Sequence, residues 1–315
     1  MPWPTPVGRA TNRYDVTEDL RDSMTGQTLG YRPSPTRATA DTKANIPSYD
    51  SAQGQSAILR EARDLVRYRD LLGLMVVNIA KSRYKRSALG VLWTLMNPVL
   101  HTAVLTVAFA NIFRSTLPNY VLYVLSGMVC WTLFTTTTVY AMNSLIWGGS
   151  ILGRIYIPRT IFAAAAVGNG LTSFGLALVP LVGVMIITGH PWTLALISVP
   201  FAVLLLTIFV FGVSLLVSSI AVLYTDFVEF YQVMVQALFF LTPIMYPEEI
   251  LPSWATPLMR LNPMYSLVEM FRRPIYYGQL PDAATVASAS ATSIAFLVVG
   301  WVVFTRRSDE LPYRI

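Results

Sequence analysis

Thr160–Thr225 reads TIFAAAAVGNGLTSFGLALVPLVGVMIITGHPWTLALISVPFAVLLLTIFVFGVSLLVSSIAVLYT, 66 residues without an Asp, Glu, Lys or Arg. A bilayer core is crossed by about 20 apolar residues in helix, so this run holds two spans with a Gly-His-Pro break at Gly189–Pro191 between them. Working outward, the same texture fills the chain from Ser87 to Thr305. Six uncharged stretches are separated by short breaks rich in charge, Pro or Gly. The reading is an all-α integral membrane protein with six transmembrane helices, at about 88–113, 120–147, 161–187, 193–223, 229–246 and 284–304.

Composition agrees with this reading. Charged residues are 13% and hydrophobic residues 54%, against about 25% charged in soluble chains. The net charge of +6 is therefore read as membrane orientation, not as nucleic-acid binding. Of 23 Lys and Arg, 14 precede Ser87. Excess Lys and Arg mark the cytoplasmic side. An inside N-terminus puts ten basic residues near span ends inside, including Lys81, Arg83, Lys85, Arg86, Arg154, Arg159, Arg306 and Arg307. Arg114, Arg260, Arg272 and Arg273 are then left outside. Both termini are expected in the cytoplasm.

Residues 1–55, rich in Pro, Thr, Ser, Asp and Arg without an apolar period, read as a disordered cytoplasmic tail. Residues 56–87 read as an amphipathic interfacial helix followed by a basic segment. Ile58, Leu59, Ala62, Leu65 and Val66 lie on one face, with Arg60, Glu61, Arg63, Asp64 and Arg67 on the other. The apolar run Leu71–Ala80 is too short to span, is interrupted by Gly73 and Asn78, and is expected to lie along the interface. The six-span domain covers 88–305, and 306–315 is a cytoplasmic C-terminal tail. The connection Pro247–Pro281 mixes Glu248, Glu249, Arg260, Glu269, Arg272 and Arg273 with aromatic and apolar residues. That mixture suits short re-entrant or amphipathic helices at the outer face.

Catalytic and metal signatures are missing from the sequence. It has one cysteine (Cys130), two histidines, and no GxxxxGK[ST], HExxH or GxSxG. No disulfide framework, metal site or catalytic set is expected, and Cys130 reads as a small apolar filler. His101 is an ionisable group within the first span, where a hydrogen-bonded packing role competes with a functional one. In the third span, Ala164, Gly168 and Thr172 form a row of small residues that admits a close helix, either from the same subunit or from a partner. The second span is polar for a membrane segment, with Ser126, Thr135, Thr136, Thr137, Thr138, Tyr140 and Asn143 among its aromatics.

Arg69-Asp-Leu-Leu72 followed by IAKSRYKRSALGVLWTLMNP at Ile79–Pro98 resembles the N-terminal signature of ABC-2 type permeases of the polysaccharide-export group. Ile151–Arg159 (ILGRIYIPR), Leu241–Pro247 (LTPIMYP) and Leu261-Asn-Pro263 with Glu269 and Arg272 follow in that family's order. The likeness covers about residues 69–315. Two features depart from it: Thr225 stands where relatives commonly carry a basic residue, and the tail is unusually long.

The resemblance implies a half-transporter without enzymatic activity, carrying O-antigen, capsule or teichoic-acid polymers on a lipid carrier. Two copies would form the conduit in a bacterial plasma (inner) membrane, surrounded by its lipids. ATP and Mg would be bound by two copies of a separate nucleotide-binding subunit. An exporter of small lipophilic molecules or drugs is the alternative within the same transporter class. Arg154, Tyr156, Ile157 and Arg159, with Tyr224 and Asp226 in the next inner turn, are the expected contacts to the ATPase. Trp131, Thr135, Thr138, Phe239 and Tyr246 are expected to line the conduit. Glu269 and Arg272, three residues apart on one helical face, are expected to order the outer segment.

Overall fold

The computed structural model describes residues 57–85, 90–113, 119–152, 157–250, 252 and 254–307, all within one compact unit. The expected tail over 1–55, most of the C-terminal tail, Arg154 and Tyr156 lie outside the described residues. Among those described there are helices and turns and no strand.

Helices α1 (Ala57–Arg67) and α2 (Arg69–Tyr84) follow one another with only Tyr68 between them. The backbone ladder carries through that joint, Tyr68 N–H to Asp64 O and Leu72 N–H to Tyr68 O, both at 2.9 Å. Gly73 and Asn78 interrupt the apolar run but not the helix. Both residues sit inside α2, because one face of α2 is held against α5 (Thr160–Ile187) and packing outweighs the roughly 1 kcal/mol that Gly costs in a helix. The small-residue row of α5 finds its partner here. A Cβ at Gly168 would lie 2.6 Å from Val76 Cγ2, so the glycine makes room for α2 of the same chain.

Among the described residues, five helical segments are long and apolar enough to cross a membrane: α3 (Leu92–Phe113), α4 (Tyr120–Leu152), α5, the segment Leu194–Ala221 and α10 (Ala283–Arg307). In Leu194–Ala221 a 3-10 turn, Leu194–Ser198, precedes α6 (Val199–Ala221). The expected fifth span, 229–246, is realised differently. Its helix α7 (Phe227–Leu241) has 15 residues, about 22 Å of rise against about 30 Å of hydrocarbon. Pro243 brings no N–H to continue the ladder, and Thr242 is already extended at φ −103° and ψ 129°.

Helix α4 is the central post. In its apolar window 78% of residues are buried, against 11% for α3. The main core gathers Leu122, Leu125, Phe134, Phe174, Leu206, Phe209 and Phe271 around it. The most extensive helix contact joins α6 and α10, whose backbones touch at two glycines. A Cβ on Gly300 would fall 2.0 Å from the Gly212 carbonyl oxygen. Close approach is how membrane helices associate when lipid removes the usual apolar drive. Ser293 Oγ adds a donated hydrogen bond to Leu205 O at 2.9 Å.

The connection from α7 to α10 is built from short elements: a 3-10 turn at Glu248–Ile250, α8 (Ala255–Arg260), α9 (Pro263–Arg272) and a π turn at Arg273–Tyr277. Gly278 ends that turn at φ +65°, a conformation that side chains with a Cβ rarely adopt. Helix α9 packs on α4, α6 and α10 and buries Met264, Leu267, Val268, Met270 and Phe271.

Candidate transport site and its two ends

The residues expected to matter fall into three groups along α4. At one end, Leu145 from α4, Phe162 from α5, Leu215 and Val222 around the end of α6, and Phe304 from α10 form a second core. Ile157 and Met75 pack against it. Ile157 thus packs against a core drawn from the ends of four long helices. Tyr224 and Asp226 follow Val222 and are exposed at the same end.

Helix α1 is fastened there too. Thr160 Oγ1 donates to Glu61 Oε2 at 2.8 Å. Burial pushes the Glu61 carboxyl above its ordinary range, and the Thr160 hydrogen bond and nearby Arg159 only partly oppose this. The face of α1 that docks is therefore the one bearing Glu61 and Asp64, whereas Ala62 and Val66 of the apolar face are exposed.

In the middle, the five residues expected to line a conduit occupy different environments. Trp131 and Thr138 are buried inside this chain. Thr138 Oγ1 donates to Phe134 O at 2.8 Å and accepts from Tyr231 of α7 at 2.9 Å. Trp131 meets Phe239 edge to face at 5.4 Å. Thr135, Phe239 and Tyr246 are half-buried.

What α4 leaves uncovered is a stripe of Thr132, Thr135, Thr136, Val139, Tyr140 and Asn143, all half-buried. These residues recur every three or four positions and so share one face. Thr135 and Thr136 donate to their own helix, both to Thr132 O, at 3.4 and 2.7 Å. Their oxygen lone pairs remain able to accept.

Helix α7 continues this character. Val228, Tyr231 and Val235 are buried, while Glu229, Gln232 and Gln236 are exposed on one stripe and Phe230, Met234 and Leu241 on another. Glu and Gln facing hydrocarbon are costly. In the sequence Glu229, Gln232 and Gln236 stand three and four residues apart, a helical face that the apolarity of the segment as a whole conceals.

At the other end, Arg272 is the hub. It is 1% exposed, and one guanidinium nitrogen donates to Pro243 O at 2.7 Å and Tyr123 Oη at 2.9 Å. The other terminal nitrogen lies 3.4 Å from Ile244 O. The guanidinium carbon stands 3.9 Å over the Tyr123 ring, a cation–π contact. Gly127 makes the space, since a Cβ there would lie 2.6 Å from Arg272 Nη2.

Carbonyls of residues 243–246, just past the end of α7, are thus satisfied by an arginine from α9 and by α4 tyrosines. Tyr120 Oη donates to Met245 O at 2.6 Å and Tyr123 Oη to Tyr246 O at 3.0 Å. Asn262 completes the tie. Its side-chain oxygen caps α9 by accepting from Met264 N–H at 2.9 Å, and its amide donates to Thr242 Oγ1 at 2.7 Å. The Leu-Asn-Pro motif is therefore a helix start that also grips the end of α7.

Glu269 does not pair with Arg272. Its partner is Arg273, at 3.0 Å, and Arg273 also reaches Asp282 at 2.5 Å. Arg260 pairs with Glu248 at 3.0 Å, and Tyr265 Oη donates to the other Glu248 oxygen. Of the remaining candidates, Cys130 is buried and His101 is exposed, with Nδ1 2.9 Å from Asn97 O. Among the described residues no cluster of His, Cys, Asp and Glu could hold a metal ion.

Comparison with known proteins follows the same segments. Residues 71–276 match the ABC-2 type transporter family. The chain is 28% identical over 261 residues, 82% of its length and 100% of the relative's, to the O-antigen export system permease protein RfbA of Myxococcus xanthus. It is 26% identical over 246 residues, 78% of this chain and 93% of the relative, to the protein of that name from Klebsiella pneumoniae. It is 18% identical over 234 residues, 73% of this chain and 91% of the relative, to the polysialic acid transport protein KpsM of Escherichia coli. With the match running from the α2 face on α5 to the π turn that closes the outer connection, the chain belongs to the ABC-2 type transporter family.

Proposed function

We propose that this chain is the membrane permease subunit of an ATP-driven exporter of polysaccharide. The observation that carries this reading is the full-length match to an O-antigen export permease, which this chain covers from end to end. ATP and Mg belong to a separate subunit in this reading, since the sequence holds no phosphate-loop motif. The transporter contains two copies of the chain in a bacterial inner membrane, with both termini and the Ile157 end in the cytoplasm. Helix α7 with the turns at 242–247 makes the sixth crossing, and α1–α2 lies at the cytoplasmic interface, the exposed Ala62 and Val66 facing lipid.

The path for the lipid-linked polymer runs along the α4 stripe with Thr135 and the α7 stripe with Gln232 and Gln236. Phe239 and Tyr246 stand toward its outer end. Sugars exchange water for such hydroxyl and amide partners, and their C–H faces stack on rings such as Tyr140 and Phe240. Docking of the ATPase on Ile157, Arg159, Tyr224 and Asp226, together with Arg154 and Tyr156, would move the second core. The 33 residues of α4, about 50 Å of rigid helix, carry that displacement to the Arg272 hub.

Deleting the gene in its host should leave polymer inside the cell, with none at the surface. The tagged chain should co-purify with an ATPase whose hydrolysis is stimulated in the complex. Undiminished surface polymer in the deletion strain would reject the reading.

A further inference from the structure

Beside the Arg272 hub lies a cavity of about 240 Å³ bordered by Tyr123, Pro243, Glu248, Tyr265, Glu269, Arg272, Arg273, Tyr277 and Gln279. Its lining is unusual for a protein built largely of apolar helices. Two carboxylates and two guanidiniums balance to zero charge, so neither a phosphate nor a cation gains a net attraction there. Three phenol rings stand among them, and Tyr276 abuts the Tyr123 ring at 5.2 Å and the Tyr277 ring at 4.8 Å.

A carboxylate has about four lone-pair sites and a guanidinium five N–H donors. The internal pairs of Glu248 with Arg260 and Tyr265, and of Glu269 with Arg273, use only part of that capacity. Arg272 and Glu248 are held in place by the hub and by Arg260, so the donors and acceptors are set before anything binds, which lowers the ordering cost of binding. Neutral, size-limited and alternating in donors, acceptors and ring faces, the cavity matches a pyranose. Each sugar hydroxyl both donates and accepts, and the ring presents C–H bonds to an aromatic surface.

We propose that this cavity is a binding subsite for one neutral sugar residue of the exported polymer, placed where the chain leaves the path. The proposal rests on the polysaccharide reading above and adds a position at which the polymer is held. One bound residue at the exit resists backsliding of the polymer between strokes of the ATPase.

Benzoylphenylalanine placed at Gln279, on the exposed rim, tests this in the intact transporter in its host. Tyr277→benzoylphenylalanine, aromatic for aromatic, is a second reporter at the rim. Gln236 is the reporter for the path, and Trp192, exposed and outside the cavity lining, is the control. Ultraviolet light should cross-link polymer at 277 or 279 and at 236 but not at 192. Glu269→Gln, which keeps an acceptor for Arg273, should lower the rim cross-link about tenfold, the scale of one charge-assisted hydrogen bond, and leave the 236 cross-link unchanged.

Cross-linking at 236 alone overturns the subsite and leaves the function standing. Equal yield at 192 and the rim also overturns the subsite. Polymer captured at none of the positions overturns the polysaccharide reading and the subsite with it.

Discussion

Arg272 shows how far a single side chain's meaning depends on what the fold brings to it. In the sequence it stands three residues from Glu269, a spacing that puts both on one helical face. In the structure the neighbouring Arg273 takes Glu269, and Arg272 turns inward to groups 28, 29 and 149 residues away in sequence. Its charge is buried among carbonyl oxygens and a ring face, so its neighbours have little freedom to move. Gly127→Ala should therefore destabilise the protein by about 1–3 kcal/mol, the usual cost of forcing a group into a full site. A lowered unfolding temperature in detergent would report it. Gly175→Ala is the matched control, because it too lies within a helix and nothing lies within 4 Å of a Cβ there, and it should unfold at or above the parent temperature. Equal stability of the two variants would show that the guanidinium is not held as described.

At the scale of elements, two joints make separable predictions. The α6–α10 crossing depends on backbone meeting backbone, and a backbone cannot swing aside. Gly300→Ala must part the helices and break the Ser293 hydrogen bond to Leu205. It should cost more than the Gly127 change, at or above about 3 kcal/mol, with reduced yield of folded protein as the first sign. The joint of α1 on α5 responds to pH instead. Burial raises the Glu61 carboxyl above its ordinary 4.5, so the folded form holds its proton more tightly than the undocked helix does. Docking is then strongest below about pH 4.5 and weakens as pH rises through the raised value. Glu61→Gln keeps an acceptor for Thr160 and should remove that dependence. Protease protection of α1 measured from pH 4.5 to 7.5 would show it, and a pH-dependent Gln variant would refute it.

These elements also mark what the sequence discloses. The long helices follow from the uncharged runs, since only a membrane-buried helix tolerates 66 residues without charge. The end of α7 was misplaced by five residues because apolarity continues past Pro243 while the hydrogen-bond ladder cannot. Val76 against Gly168 and Arg272 against Tyr123 were illegible because they join distant segments by shape, without a periodic signature.

For the whole molecule, the proposed polymer path rests on a contrast of faces on α4 and α7. Thr138 and Trp131 looked suitable by composition, yet both are enclosed by α7 and the core. A pore-lining side chain must be reached by water. Gln232 and Gln236 are exposed on a helix whose adjacent stripe, Phe230, Met234 and Leu241, suits lipid. An amide turned toward lipid would lose its hydrogen bonds without replacement, at a cost of about 2 kcal/mol or more. In the function proposed above, the amide stripe faces the aqueous path between two copies of the chain. Single cysteines at 135, 232 and 236, in a background where Cys130 is replaced, should react with a water-soluble thiol reagent, and a bulky adduct at 236 should stop export. Cysteine at 138 should stay unmodified in the folded transporter, because its position is sealed against Tyr231. Rapid modification at 138 with none at 232 or 236 would place the path on the other side of α4.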